Sequence, residues 1–209
     1  MNSARHPTRG SDLIYLVSSL QNHITMLSDS ELATQALADE AKYRFQSFTA
    51  SDAVTLGLSL RKRFRGSSRH SKHGRGLVIS IQTIAGHPLF ACTVSESMNG
   101  DVGSDSWECL EAMMRVVRRT GHSSYYVEKG LAAAANRGAQ QSNLPLESLS
   151  GVKGGAFPIW LENATCCPIA IAAVYGGSSV EDHHLVVNTI RDYINKMLRN
   201  SDPTSAGAE

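Results

Sequence analysis

Residues 154–187 read GGAFPIWLENATCCPIAIAAVYGGSSVEDHHLVV. Two glycine pairs, Gly154-Gly155 and Gly176-Gly177, bracket two apolar runs. Phe157, Ile159 and Leu161 form one strand face, and Ile169, Ile171 and Ala173 form the next, so the pair predicts a hairpin. Beyond the second glycine pair, Ser178 and Ser179 are helix N-cap residues. They open a long helix that carries Glu181, Asp182, His183 and His184 in its first turn and continues through Tyr193, Ile194, Met197 and Leu198. This order of elements can build a pocket from backbone amides, carboxylates and imidazoles.

Upstream, Leu77, Ile79 and Ile81 alternate with Ser80 and Gln82, and Ala85-Gly86-His87 turns the chain into a second strand, Pro88 to Val94. Two hairpins separated by helices, without a β-α-β rhythm, predict an antiparallel α+β domain. The helices are marked by their ends. Ser28 with Glu31 forms a capping-box pattern for a helix through about Lys42. Another helix begins near Thr49 to Asp52, carries Val54, Leu56, Leu58 and Leu60, and ends in the basic residues Arg61 to Arg65, which suit the helix dipole. Ser104 is expected to cap a helix with Trp107, Leu110, Met114 and Val117 on one face, closed by Arg118, Arg119 and Gly121. Ser123 or Ser124 opens a further helix that ends at Asn136-Arg137-Gly138. Leu13, Leu16, Val17, Leu20, Ile24 and Leu27 follow a helical stripe. Residues 1–35 are thus expected to be an N-terminal, mainly helical extension, 36–199 the α+β domain, and 200–209 a frayed tail.

With 209 residues and 42% apolar content, the chain can bury a core of one-domain size. Twenty Lys and Arg balance nineteen Asp and Glu, so bulk charge gives no reason to expect nucleic acid or membrane partners. Seven of the twenty basic residues nevertheless fall in 61–75, without an acid among them. That run reads as a helix end plus solvated loop, with a subunit contact or polyanion site as the alternative. The segment 13–27 is too polar to span a bilayer and lacks a secretory pattern. The four cysteines, Cys92, Cys109, Cys166 and Cys167, show no C-x-x-C spacing, so no metal site and a reduced, cytoplasmic protein are expected. Cys166 and Cys167 are adjacent in an apparent strand, which would point their side chains to opposite faces. The Asn163-Ala164-Thr165 sequon reads as a turn.

Taken together, Gly154, Gly155, Phe157, Pro158, Ile159, Val174, Gly176, Asp182, His183, Leu185, Val186 and Val187 resemble the GG-x-F-P-I … D-H-x-L-V-V pattern of the haem-degrading-domain-like superfamily, GlcG/HbpS type. They are most similar to its branch of intracellular uncharacterised proteins. Phe48, Asp52, Ala53, Leu56 and Gly57 resemble the branch's F-x-x-x-D-A-x-x-L-G helix entry, and Leu89-Phe90, Trp107 and Ser123-Ser124 follow in the family's order. The resemblance covers about residues 36–198. It implies a profilin-like core, a five-stranded antiparallel sheet flanked by helices, in symmetric homo-oligomers that bind haem, a related tetrapyrrole or another metabolite. The family's V-S-G-L-P-Q turn is here Val174-Tyr-Gly-Gly-Ser-Ser179, so Tyr175 stands at a family serine, and Glu111 stands at a family lysine.

Several residues are candidates for chemistry. Gly154, Gly155, Gly176 and Gly177 can bring backbone N–H groups against a ligand oxygen, and on that reading Gly155→Val removes binding while the fold survives. Glu181 and Asp182 are cap residues, pocket carboxylates or both. Near the positive helix end, Asp182 is expected ionised and His183 neutral, able to accept a proton or ligate iron. His184 leaves the helix on another bearing. His122 could pair with a neighbouring serine hydroxyl. Tyr175 could donate to a substrate carbonyl, while Trp107, Ser123, Ser124, Phe157 and Pro158 complete the expected pocket. The leading expectation is a homo-oligomer that binds a small organic ligand, haem included. A cofactor-free isomerase, cyclase or lyase on the same scaffold, and an oligomeric interaction platform, stand beside it.

Overall fold

The structure is a computed structural model that describes residues 27–68, 75–95, 102–137 and 151–201. Most of the predicted 13–27 stripe, part of the basic run and the C-terminal tail lie outside these residues. The described elements are α1 (Asp29–Lys42), β1 (Arg44–Phe45), α2 (Ala50–Arg65), β2 (Leu77–Thr83), β3 (Pro88–Val94), α3 (Ser104–Thr120), α4 (Ser124–Asn136), β4 (Ala156–Leu161), β5 (Ala170–Tyr175) and α5 (Ser179–Ser201).

Local signals set most of these ends. Ser28 and Glu31 form a reciprocal capping box at the start of α1, and Thr49 and Asp52 form another at α2. Gly121 adopts φ 75°, the left-handed conformation that ends a helix without a Cβ clash. Ser123 caps α4 by accepting from the Tyr126 amide. Two expectations need correction. Ser104 is the first helical residue of α3, behind an N-cap Gly103 that has no side-chain cap, and its hydroxyl bonds Asp105 instead. In α2 the buried stripe is Ala53, Leu56, Gly57, Leu60 and Phe64. Val54 and Leu58 are 42% and 49% exposed, because alternate residues on a helix turn about 200° apart. Helix α1 runs without interruption across residues 35 and 36, where the sequence reading divided extension from domain.

The strands form one sheet in the order β1-β4-β5-β2-β3. The β4–β5, β5–β2 and β2–β3 pairs are antiparallel, and the two-residue β1 pairs with β4 in parallel through Arg44–Trp160 and Phe45–Leu161, which makes the sheet mixed. Helices cover both faces. Leu77, Ile79, Ile81, Phe157, Ile159 and Val174 pack with Leu56, Leu60, Phe64, Val186 and Ile190 of α2 and α5. On the other face, Val78, Ala156, Ile171 and Ala173 pack with Leu110, Met113, Met114 and Val117 of α3. Central strands covered on both sides lose the apolar/polar alternation of a half-exposed strand, so Ser80 is buried as well as its apolar neighbours. Among the described residues no helix is long and apolar enough to cross a membrane.

Candidate functional site

The starts of α4, β4 and α5 and the end of β5 converge, as the glycine pairs and serines anticipated. The groups that meet there bond chiefly to each other. The Gly154 amide donates to Glu128 Oε2 at 2.6 Å and to Ser179 Oγ at 3.0 Å. The Ala156 amide donates to Ser124 Oγ at 3.0 Å. The Gly176 amide donates to Asp182 Oδ2 at 2.9 Å. Asp182 is fully buried, so its carboxylate fixes the Gly176-Gly177 turn and takes no part in the solvent-facing surface. The amides of Gly154 and Gly176, expected to face a ligand, thus have internal partners.

Gly154 and Gly155 are required for packing. A Cβ on Gly155 would lie 2.4 Å from the Val174 carbonyl oxygen, at a φ of 141° that L side chains rarely adopt, and one on Gly154 would lie 2.5 Å from the Tyr125 ring. Substitution of Gly155 by valine therefore attacks the fold, contrary to the expectation that the fold survives. Phe157 and Pro158 are interior residues of β4. Trp107 packs against the α3 face of the core.

His183 is 3% exposed, with its ring stacked on Tyr125 at a centroid distance of 4.3 Å and Phe157 at 6.3 Å. Burial, reinforced by the neighbouring His184, pushes its pKa down to about 3. The imidazole is neutral near pH 7, as expected, but desolvation is the leading cause rather than the helix dipole. Its Nδ1 and the Tyr125 hydroxyl are buried without a hydrogen-bond partner. His184 is exposed and lines a separate groove with Phe64 and Leu185.

One solvent-accessible cleft adjoins this knot. It has a volume of about 430 Å³ and is lined by Arg75, Gly76, Val102, Asp105, Ser106, Tyr175, Gly176 and Gly177. Tyr175, Gly176 and Gly177 come from the turn singled out in the sequence, and Arg75 closes the basic run 61–75; Asp105 and Ser106 were not anticipated. Gly177 holds φ 88° with open space beside it. The register pairs Tyr175 with Val78 of β2. Burial, then a hydrogen bond with Cys109, pushes the Tyr175 phenol's pKa up, so it stays protonated.

A second group was invisible to sequence reading. Glu40, 4% exposed on α1, accepts from the Ser123 amide at 2.7 Å and pairs with His122 Nδ1 at 2.8 Å. His122 therefore meets a carboxylate 82 residues away rather than a neighbouring serine hydroxyl. No spacing rule could have found this pair, since an isolated Glu on a helix reads as solvated.

The architecture and the glycine turn have a match among known families: residues 48–191 fit the model of the haem-degrading protein HbpS-like family. The chain belongs to that family. Among relatives, a UPF0303 protein of Psychromonas ingrahamii is 26% identical over 164 residues, 78% of this chain and 93% of that protein. A UPF0303 protein of Streptomyces coelicolor is 28% identical over 155 residues, 74% and 89% of the two chains. The crystal structure of Ybr137w protein is similar with a TM-score of 0.62 at 22% identity, over 88% of this chain and 96% of that one. That likeness concerns the fold.

Proposed function

We propose that this HbpS-like protein is a cytoplasmic, homo-oligomeric binder of a small organic molecule, held in the cleft between the Tyr175–Gly177 turn and the start of α3. The observation that carries the reading is the lining. A cleft of about 430 Å³ is of ligand size, and it combines a guanidinium, a carboxylate, a hydroxyl and a protonated phenol with apolar wall that includes Val102. Such a surface selects a compact polar molecule with both donors and acceptors.

The family description names haem, and the lining tests that possibility. Haem binding calls for an axial His, Cys, Met or Tyr ligand and apolar walls around the ring. Among the described residues the cleft offers no His, Cys or Met, and Tyr175 keeps its proton. His183 lies beneath Tyr125 rather than at the cleft. The cleft residues do not fit an iron-ligated haem. A second reading, a cofactor-free isomerase, cyclase or lyase, draws on the same phenol, which can donate to a substrate carbonyl.

The test is a panel of polar metabolites screened by ligand-observed NMR, beside a haem titration followed through the Soret band. We expect saturable binding of a polar compound that Tyr175→Phe and Asp105→Asn weaken, and no shift of the haem spectrum that depends on Tyr175. A compound bound equally by wild type and both variants would place the site elsewhere. A ligated haem spectrum lost in Tyr175→Phe would restore the haem reading.

A further inference from the structure

The loop joining β4 to β5 carries Cys166 and Cys167, both free and exposed. They are not in a strand, and their side chains do not diverge as strand residues would. Their sulfur atoms lie 3.9 Å apart. We propose that this vicinal pair is a bidentate site for a thiophilic metal or metalloid ion, independent of the Tyr175 cleft and at the opposite end of the β4–β5 hairpin.

The spacing supports chelation over a disulfide. Neighbouring Cα atoms across a trans peptide sit about 3.8 Å apart, whereas disulfides usually need about 4.4 Å or more. A disulfide between adjacent residues therefore strains the backbone. An ion with sulfur bonds of about 2.3 Å and a near-tetrahedral angle spans two sulfurs about 3.8 Å apart. The observed separation matches that demand without movement of the chain.

The loop is also held in place. The Glu162 amide donates to the Phe45 carbonyl at 2.9 Å, and the Ile169 amide donates to the Ile159 carbonyl at 2.9 Å. Leu161 bridges Ala164, and Pro168, directly after Cys167, is buried. The two thiols are thus presented to solvent from anchored backbone, which lowers the ordering cost of binding both at once. Among the described residues no third His, Cys, Asp or Glu joins them in a metal cluster, so a bound ion keeps open positions for water or a small thiol. Binding a divalent ion releases the two thiol protons. A trivalent organoarsenic oxide forms two As–S bonds and releases one water.

Phenylarsine oxide, whose arsenic accepts two sulfurs, is the probe. Full-length reduced protein is titrated with it, remaining thiols are counted, and the adduct is mapped by peptide mass spectrometry. We expect one equivalent to consume two thiols and to bridge Cys166 and Cys167, with Cys92 and Cys109 still reactive. Cys166→Ser and Cys167→Ser should each weaken binding by about 10²-fold or more, the usual gain from a second linked contact. Their adducts should be stripped by an excess of monothiol that leaves the wild-type adduct intact. An adduct mapped to Cys92 or Cys109, or a wild-type complex reversed by monothiol as readily as the single variants, overturns the proposal. The mapping needs no variant, so it decides the matter even if a substitution disturbs the fold. Cadmium titration, read by its thiolate charge-transfer absorbance, should show the same dependence on both cysteines.

Discussion

Acid should unfold this protein partly through one residue, His183. In the unfolded chain its imidazole takes a proton at the ordinary value of 6.5; in the fold it resists until about pH 3. The neutral ring is the form the fold accepts, so stability from this group is complete above pH 6.5. It is lost progressively as pH falls towards 3, where the unfolded state binds a proton that the native state refuses. Each pH unit of that gap is worth about 1.36 kcal/mol. The loss is then about 2 kcal/mol at pH 5 and approaches about 5 kcal/mol near pH 3. Because the side chain is 3% exposed, solvent screening does little to reduce it. His183→Phe keeps a ring against Tyr125 but removes the titration. At pH 7 it should be neutral or stabilising, by up to about 1 kcal/mol, since it also removes the unpartnered Nδ1. Urea melts of both proteins at pH 7 and pH 5 measure the difference, and the wild type should lose about 2 kcal/mol more than the variant. Equal losses, or a His183 ring that titrates near pH 6.5 in the folded protein by NMR, would refute the reasoning.

Other outcomes follow from the same geometry. Glu40→Ala leaves the buried Ser123 amide unpaired and frees His122, and should cost about 2–4 kcal/mol in denaturant melts; a loss below about 0.5 kcal/mol would mean the clamp is dispensable. Gly155→Ala should cost on the order of 3 kcal/mol, from strain at positive φ plus the contact with the Val174 carbonyl. Gly177→Ala, with open space around it, should cost only about 1–2 kcal/mol, and a reversed order in the two melting curves would contradict this account. The proposed homo-oligomer would bury exposed apolar side chains, and Val54 and Leu58 on α2 are two such residues. Light scattering at micromolar concentration is expected to give a multiple of the chain mass, and a monomer unchanged on concentration would count against it.

The sequence by itself determined the features whose partners are near in the chain. Ser28 with Glu31 and Thr49 with Asp52 close capping boxes over three residues, and Gly121 ends α3. The β2–β3 hairpin turns at Gly86, with φ 94°. In each case a few dihedrals and one local hydrogen bond decide the conformation, so residue type and spacing suffice. The family pattern added the architecture, because a motif spread over 154–187 reflects an entire hairpin and helix rather than one turn.

Only the tertiary structure decided what those elements do to each other. The sequence could place Gly154 in a turn, but not show that Glu128 and Ser179 occupy its amide. It could place Asp182 on the first turn of a helix, but not distinguish a pocket carboxylate from one bonded to Gly176. The sequence could separate the bearings of His183 and His184, but not show that packing against Tyr125 buries the first and leaves the second exposed. Cys166 and Cys167 were expected to diverge because the apolar run continued through them in pattern, whereas the loop turns both sulfurs together. The Glu40–His122 pair and the parallel β1–β4 contact join segments about a hundred residues apart. Burial and hydrogen-bond partners arise from surfaces brought together by folding, and their free energies are set by desolvation at those contacts. Local sequence carries the propensity of each segment; the neighbour that satisfies a buried amide or excludes water from an imidazole is fixed only when the segments pack.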